Sequence, residues 1–122
     1  MKQAAAAYRT DRFENAPPLK LVQLMYEGAL RYLDQAVAAQ GAGELARFQE
    51  RCLRAQAVVA ELRLALDPGA APELAANLDS LYLFAEAEMR AAILGDDAAR
   101  LAPVREVLAT LLDGWKRLEV VG

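Results

Sequence analysis

Apolar residues recur along most of the chain at spacings of three and four, which places them on one side of an α-helix. The pattern divides into four segments, at about residues 17–39, 44–66, 73–94 and 97–118. Glycine, proline and aspartate separate these segments, and such residues commonly begin and end helices. No segment alternates with the period of two that is typical of a β-strand. The pattern therefore predicts an all-α fold, an antiparallel up-down four-helix bundle that forms one domain over residues 1–122.

The stretches before the first and fourth segments carry signals of their own. Residues 1–14 lack an apolar stripe and place Tyr8 among charged residues, so we predict a short mobile N-terminal arm. Asp96 or Asp97 is positioned to cap the fourth helix, because an aspartate oxygen accepts hydrogen bonds from the free N–H groups at a helix start.

The second and fourth segments each contain one strict apolar row. These rows are Leu45, Phe48, Cys52, Ala55, Val59, Leu62 and Leu66, and Leu101, Val104, Leu108, Leu111, Trp115 and Leu118. Because Cys52 and Trp115 lie within the rows, we interpret both as core residues, with Cys52 acting as a small buried hydrophobe. The two rows suffice to supply much of a bundle core.

The first and third segments contain more apolar residues than one row requires. In the third segment we place Leu74, Leu78, Leu81, Ala85 and Ala92 in the main row, with Tyr82, Met89 and Ile93 beside it. One interpretation is that the extra leucines are merely exposed, as many surface leucines are. The other is that grooves between the helices accept an amphipathic helix of a partner.

Composition excludes most catalytic chemistry. The chain has 122 residues, no histidine and one cysteine, which rules out Ser-His-Asp and Cys-His machinery and histidine-bearing zinc sites. We expect Glu86 and Glu88, two residues apart, to be solvated on different faces of their helix. The hydrophobic share of 56% exceeds the usual ~45–50%. We therefore expect no enzyme, no cofactor and no metal, and a function that depends on apolar surface.

Charge and hydropathy restrict the partners and the location. The formal net charge of -3 argues against nucleic acid, because binding to phosphates needs a basic face. No apolar stretch approaches the ~18–20 residues of a membrane span, and the N-terminus lacks the apolar core of a signal peptide. We expect a cytoplasmic protein without membrane insertion.

Several motifs, in order along the chain, resemble those of the flagellar secretion chaperones of the FliS family. Leu-Met-Tyr-Glu-Gly-Ala-Leu occupies positions 24–30, a run ending in Leu-Asp occupies 54–67, and Asn-Leu-Asp-Ser-Leu-Tyr-Leu-Phe occupies 77–84. Tyr8 precedes them and Trp115-Lys116 follows. The sequence departs from the family pattern at Phe84, where a tyrosine is common, at residues 92–95, and at Gly114. The resemblance covers nearly the whole chain.

The resemblance implies an export chaperone of type III secretion that binds the disordered C-terminal segment of flagellin in apolar grooves and prevents its premature polymerisation. It leaves an export-gate component or an anti-sigma factor open as further partners, and we expect a monomer or weak dimer. The candidate flagellin contacts are Tyr8, Leu21, Leu24, Met25, Tyr26, Leu53, Val58, Tyr82 and Leu83. Tyr8 is either part of a movable lid or a structural anchor, and Tyr26 and Tyr82 belong either to the core or to the client site.

An alternative function needs no client. A self-associating structural or adaptor bundle could bury the same apolar surplus in a symmetric dimer. The two functions differ in whether a flagellin peptide binds to the chain.

Overall fold

The computed structural model describes residues 7–8 and 18–121, with side chains for 7–8 and 19–118. These described ranges form four α-helices: α1 (Pro18–Gly41), α2 (Leu45–Leu64), α3 (Pro72–Gly95) and α4 (Leu101–Val121). A 3-10 helical turn, Ala98–Arg100, precedes α4. No strand occurs in the described ranges, which confirms the prediction of an all-α fold. The predicted arm at residues 1–14 lies outside these ranges except for Ala7 and Tyr8.

The helix ends follow from local chemistry. Gly43, in the α1–α2 connection, has a φ of 75°, a left-handed conformation that glycine adopts without a steric penalty. Pro72 stands at the first position of α3, where its missing N–H costs least. Asp96 ends α3 in the left-handed conformation, and the side chain of Asp97 accepts a hydrogen bond from the Ala99 N–H at 3.1 Å. Of the two predicted caps, Asp97 is therefore the one that opens the last helical stretch.

Each helix has two neighbours. The helix α1 packs against α2 and α4, and α3 packs against α2 and, least extensively, against α4. Two ion pairs join α1 to α4, Asp34 with Arg105 at 2.7 Å and Glu27 with Lys116 at 3.8 Å. Their order is reversed along the two helices, as in an antiparallel pair.

The buried rows of α2 and α4 match the predicted rows over most of their length. Phe48, Cys52 and Val59 of α2 are fully buried, as are Val104 and Leu108 of α4. Leu45, at the start of α2, is an exception and is 47% exposed because it lies at the first position of the helix, outside the core. In α4, Leu112 is buried where the row predicted Leu111, and Leu111 and Leu118 are only partly buried.

The core row of α3 differs from the predicted row. Leu78, Ala85 and Ala92 of the predicted row are buried, but Tyr82 and Met89 are fully buried beside them, whereas Leu74 and Leu81 are only partly buried. Leucine and alanine occur almost all round this helix, so apolar spacing alone does not determine its rotation. The Tyr82 hydroxyl finds hydrogen-bond partners inside the bundle, which allows a tyrosine to occupy the centre of the row.

Candidate functional site

The described surface carries several large apolar side chains on three of the four helices. They are Leu24 and Val37 of α1, Leu45, Leu53 and Leu64 of α2, and Leu83, Phe84 and Leu94 of α3. Single exposed leucines are ordinary on protein surfaces, so the arrangement carries more information than the number.

The most exposed positions of α3 carry little charge. Between Ala76 and Leu94, the fully exposed positions of this helix carry one charge, that of Arg90, while Asp79 and Glu88 are partly buried. Leu83 and Phe84 lie side by side at the centre of this face, at 47% and 41% exposure. The outer face of a bundle helix is normally rich in charged residues, so this face has the composition of a contact surface.

A groove beside this face lies between α3 and α4. Its apolar walls are formed by Leu81 and Phe84 of α3 and by Val107 and Leu111 of α4, with Glu106 at the edge. It is open because α3 and α4 make the least extensive contact of the four neighbouring helix pairs. A second shallow groove, between α1 and the start of α4, is lined by Leu33, Val37 and Leu101 and is flanked by the Asp34–Arg105 ion pair.

Three buried tyrosines meet inside the bundle. The Tyr82 hydroxyl is hydrogen bonded to the hydroxyls of both Tyr8 and Tyr26. The ring of Tyr8 also contacts Trp115 edge-on, with ring centroids 6.0 Å apart. Burial is the main reason that the pKa of each of the three tyrosines lies above its ordinary value. We call these three residues, together with Trp115, the tyrosine cluster.

The backbone of Ala7 and Tyr8 is attached to the end of α2. Tyr8 forms an isolated antiparallel bridge with Leu66, and the Asp67 N–H donates to the Ala7 carbonyl oxygen at 2.7 Å. We call Ala7–Tyr8 the strap. It holds an aromatic side chain against the core through both backbone and hydroxyl hydrogen bonds.

Comparison with known proteins identifies the family. The family model described as flagellar protein FliS matches residues 1–121. The chain belongs to the FliS family. It is 33% identical to the flagellar secretion chaperone FliSB of Pseudomonas aeruginosa, over 94% of this chain and 91% of that protein. It is also 30% identical to the flagellar secretion chaperone FliS of Vibrio cholerae, over 84% and 76% of the two chains, and 26% identical to that of Bacillus subtilis, over 91% and 82%.

The predicted contact residues of this FliS-family chain fall into three groups. Leu24, Leu53 and Leu83 are about half exposed, but they lie on three different helices. Leu21, Met25 and Val58 are partly buried and pack against the core. Tyr8, Tyr26 and Tyr82 are buried together in the tyrosine cluster.

Two features of the surface escaped the sequence analysis. Phe84 and Leu94 complete the apolar face of α3, and the sequence carries no clear signal for them, because the charged residues Asp79, Glu88 and Arg90 are interspersed along the same helix. The expected solvation of Glu86 is wrong. Glu86 is only 8% exposed and lies in the α2–α3 interface. Its carboxylate tolerates this burial because it accepts a hydrogen bond from Arg63 Nε at 2.7 Å.

Residues with catalytic or metal-binding potential are not grouped in the described part of the chain. No cluster of three or more acidic or cysteine side chains that could hold a metal ion occurs there. Cys52 is fully buried, and desolvation raises the pKa of its thiol to about 11. None of the described helices is long and apolar enough to cross a membrane.

Proposed function

We propose that this FliS-family chain is a flagellar export chaperone that binds the disordered C-terminal segment of flagellin and prevents its polymerisation before secretion. The observation that carries the proposal is the apolar surface of α3, where Leu83 and Phe84 are exposed beside the open α3–α4 groove and Arg90 is the one charge at the fully exposed positions from Ala76 to Leu94. The FliS family is a family of chaperones and not of enzymes, and the relatives from three bacteria bear the name flagellar secretion chaperone.

The distribution of apolar surface supports an extended client. Exposed leucines occur on α1, α2 and α3 and do not form one compact patch. A disordered segment can follow such separate sites around a bundle, and the apolar area that it buries offsets the entropy lost when it becomes ordered. A folded partner would instead need one continuous surface of standard size.

The strap has a place in the same proposal. Tyr8 of the strap packs against Tyr82 and Trp115, and Tyr26 and Tyr82 are fully buried, so a client can contact these two tyrosines only when the strap is displaced. We propose that the strap acts as a lid that competes with the client. The alternative, a permanent structural anchor, predicts that loss of the Tyr8 side chain destabilises the bundle without raising client affinity.

The site of action that we propose is the cytoplasm, where flagellin is present before export. An export-gate component or an anti-sigma factor as an additional partner stays a prediction.

The self-associating bundle is the competing function. It predicts a tight dimer in sedimentation velocity that does not change when a flagellin C-terminal peptide is added.

The test is the affinity of the chain for a peptide of the flagellin C-terminal region, measured by calorimetry. Leu83→Ser combined with Phe84→Ser should weaken binding at least about tenfold, because two half-exposed anchors lose their apolar contact. The matched control is Leu45→Ser, since Leu45 is as exposed as Leu83 but lies at the start of α2. Equal affinities for the double variant and the wild type would place the client elsewhere, and a wild-type chain that binds no peptide would overturn the proposed function.

A further inference from the structure

Arginines are concentrated on one side of α2. Several basic residues elsewhere each have a carboxylate of their own. These pairs are Arg63 with Glu86, Arg105 with Asp34, Lys116 with Glu27 and Arg117 with Asp113. The first half of α2 differs, because Arg47, Arg51 and Arg54 occur there with one glutamate, Glu50. Residues at spacings of three and four are neighbours on a helix, so the three guanidinium groups line one side of α2. We call these three arginines the arginine face.

Glu50 is shared between two members of the arginine face. Its Oε1 atom lies 2.8 Å from Arg51 Nε, and its Oε2 atom accepts a hydrogen bond from Arg54 Nε at 2.8 Å. The pKa of the Glu50 carboxyl is lowered mainly by the Arg54 hydrogen bond and further by the charges of Arg51, Arg54 and Arg47. Arg47 forms no ion pair among the described residues. One carboxylate therefore faces three guanidinium groups, and the surface keeps an excess of positive charge.

The helix α1 restrains one of these arginines. Arg51 Nη1 donates a hydrogen bond to Gln35 Oε1 at 3.2 Å, and its guanidinium carbon lies 5.7 Å from the centre of the Tyr32 ring. The Arg51 side chain is 25% exposed, whereas that of Arg54 is 61% exposed and Arg47 is exposed as well. Arg51 is thus fixed against α1, while Arg47 and Arg54 on either side of it face solvent.

The size of the arginine face restricts its partner. Arg47 and Arg54 are seven residues apart, about 10 Å along the helix axis. A partner helix with carboxylates at spacings of three and four presents three of them over the same length, and a carboxylate accepts two parallel hydrogen bonds from one guanidinium. A nucleic acid or an anionic membrane would meet a longer surface, and Glu44 and Glu61 place negative charge beyond each end of the row.

We propose that the arginine face binds an acidic helical segment of a second partner protein. Arg47 and Arg54 contact carboxylates of this segment directly, and Arg51 supplies a fixed positive charge between them. Glu50 is an internal competitor, which a carboxylate of the partner displaces from Arg54. The surface lies on the side of α2 that meets α1, whereas the proposed client face lies on α3 beside α4. The proposal therefore goes beyond the proposed function and does not require it.

The first test uses a defined acidic probe. The probe is a fluorescently labelled, alanine-based helical peptide with three glutamates at spacings of four and three, and its glutamine counterpart is the uncharged control. Fluorescence anisotropy at low ionic strength should show binding of the glutamate peptide to the full chain, and added salt should weaken it. Absence of binding, or equal affinity for the glutamine peptide, would overturn the proposal.

The second test separates the arginine face from the net charge. Arg47→Gln combined with Arg54→Gln should weaken binding of the glutamate peptide about tenfold or more, because both direct contacts are lost. Arg105→Gln combined with Arg117→Gln is the matched control, since it removes the same charge from two exposed arginines that have their own carboxylates. Circular dichroism verifies the helix content of both variants. Equal weakening in the two double variants would assign binding to net charge and contradict a specific surface.

A third variant should strengthen binding. Glu50→Gln removes the internal competitor, so affinity for the glutamate peptide should rise about two- to fivefold, the value of one exposed ion pair. A loss of fold cannot imitate this gain. An unchanged or weaker affinity would contradict the displacement of Glu50 by the partner.

Two further probes distinguish the class of partner. Single-stranded DNA and phosphatidylglycerol vesicles should bind more weakly than the glutamate peptide. If either binds more tightly and shows the same loss in the Arg47→Gln, Arg54→Gln variant, the surface recognises phosphate and the acidic protein partner is wrong. The flagellin C-terminal peptide should bind this variant as it binds the wild type, and a parallel loss would show that the two surfaces are not independent.

Discussion

Glu86 carries a carboxylate into the interface between α2 and α3, where desolvation would disfavour the charge if it were unpaired. The Arg63 guanidinium donates to this carboxylate at 2.7 Å, and the contact raises the pKa of Arg63. Gln56 adds a hydrogen bond from its side-chain amide to the Glu86 backbone oxygen at 3.3 Å. The two partners differ in burial, since Glu86 is buried while the Arg63 side chain is 30% exposed to solvent.

Arg63→Met should lower the free energy of unfolding by about 1 kcal/mol. Removing the partner of a fully buried charge costs about 3–5 kcal/mol. The cost is smaller here because Arg63 is partly exposed, so water can reach the Glu86 carboxylate from that side. Urea unfolding measures the change. Arg54→Met is the matched control, because it breaks the exposed Arg54–Glu50 pair and should leave stability nearly unchanged. Adding Glu86→Leu to Arg63→Met should recover stability, and a further loss in the double variant would contradict a cost due to the unpaired carboxylate.

The elements differ in how well the sequence predicts them. In α2 and α4, charged residues occupy the positions between the strict apolar rows, so only one rotation of each helix buries the row. In α3, two apolar rows could each face the core. The row with Tyr82 and Met89 is buried in preference to Leu74 and Leu81, because the Tyr82 hydroxyl finds hydrogen-bond partners from other segments. The apolar face of α3 was therefore predicted only at Leu83, and Phe84 and Leu94 required the tertiary structure.

The start of the last helical stretch depends on one side chain. Asp97 Oδ1 accepts the Ala99 N–H at 3.1 Å, and Arg100 lies 3.9 Å from the other carboxylate oxygen. Asp97→Ala should cost about 1 kcal/mol, the usual value of an N-cap, whereas Asp97→Asn should retain most of it. Urea midpoints of the two variants provide the measurement. Equal losses in both would assign the effect to the Arg100 contact instead of the cap.

At the scale of the whole molecule, the tyrosine cluster joins segments that are far apart in the sequence. The strap supplies Tyr8, and the helices α1, α3 and α4 supply Tyr26, Tyr82 and Trp115. The cluster therefore forms only when all four segments are packed together. Helical periodicity predicts where Tyr26 and Trp115 face, but it contains no information on which hydroxyls meet. That part of the site was therefore outside the reach of sequence analysis, which left Tyr26 and Tyr82 open between the core and the client site.

The cluster makes the folded chain sensitive to alkali. Burial raises the pKa of Tyr8, Tyr26 and Tyr82, so above about pH 10 the unfolded chain loses these protons while the folded chain retains them. The cluster's contribution to stability is therefore complete at lower pH and decreases as the pH rises, by about 1.4 kcal/mol per pH unit for each tyrosine.

In a Tyr32→Phe background, where only these three tyrosines remain, tyrosinate absorbance should rise together with the loss of helical circular dichroism, in one cooperative step. Adding Tyr8→Phe should reduce the dependence of the unfolding free energy on pH above 10 by about one third, because one of the three coupled protons is removed. Tyrosinate absorbance that develops fully while the helices persist would mean that the hydroxyls are accessible to solvent in the folded chain. The strap would then not seal the cluster in the way that the proposed lid requires.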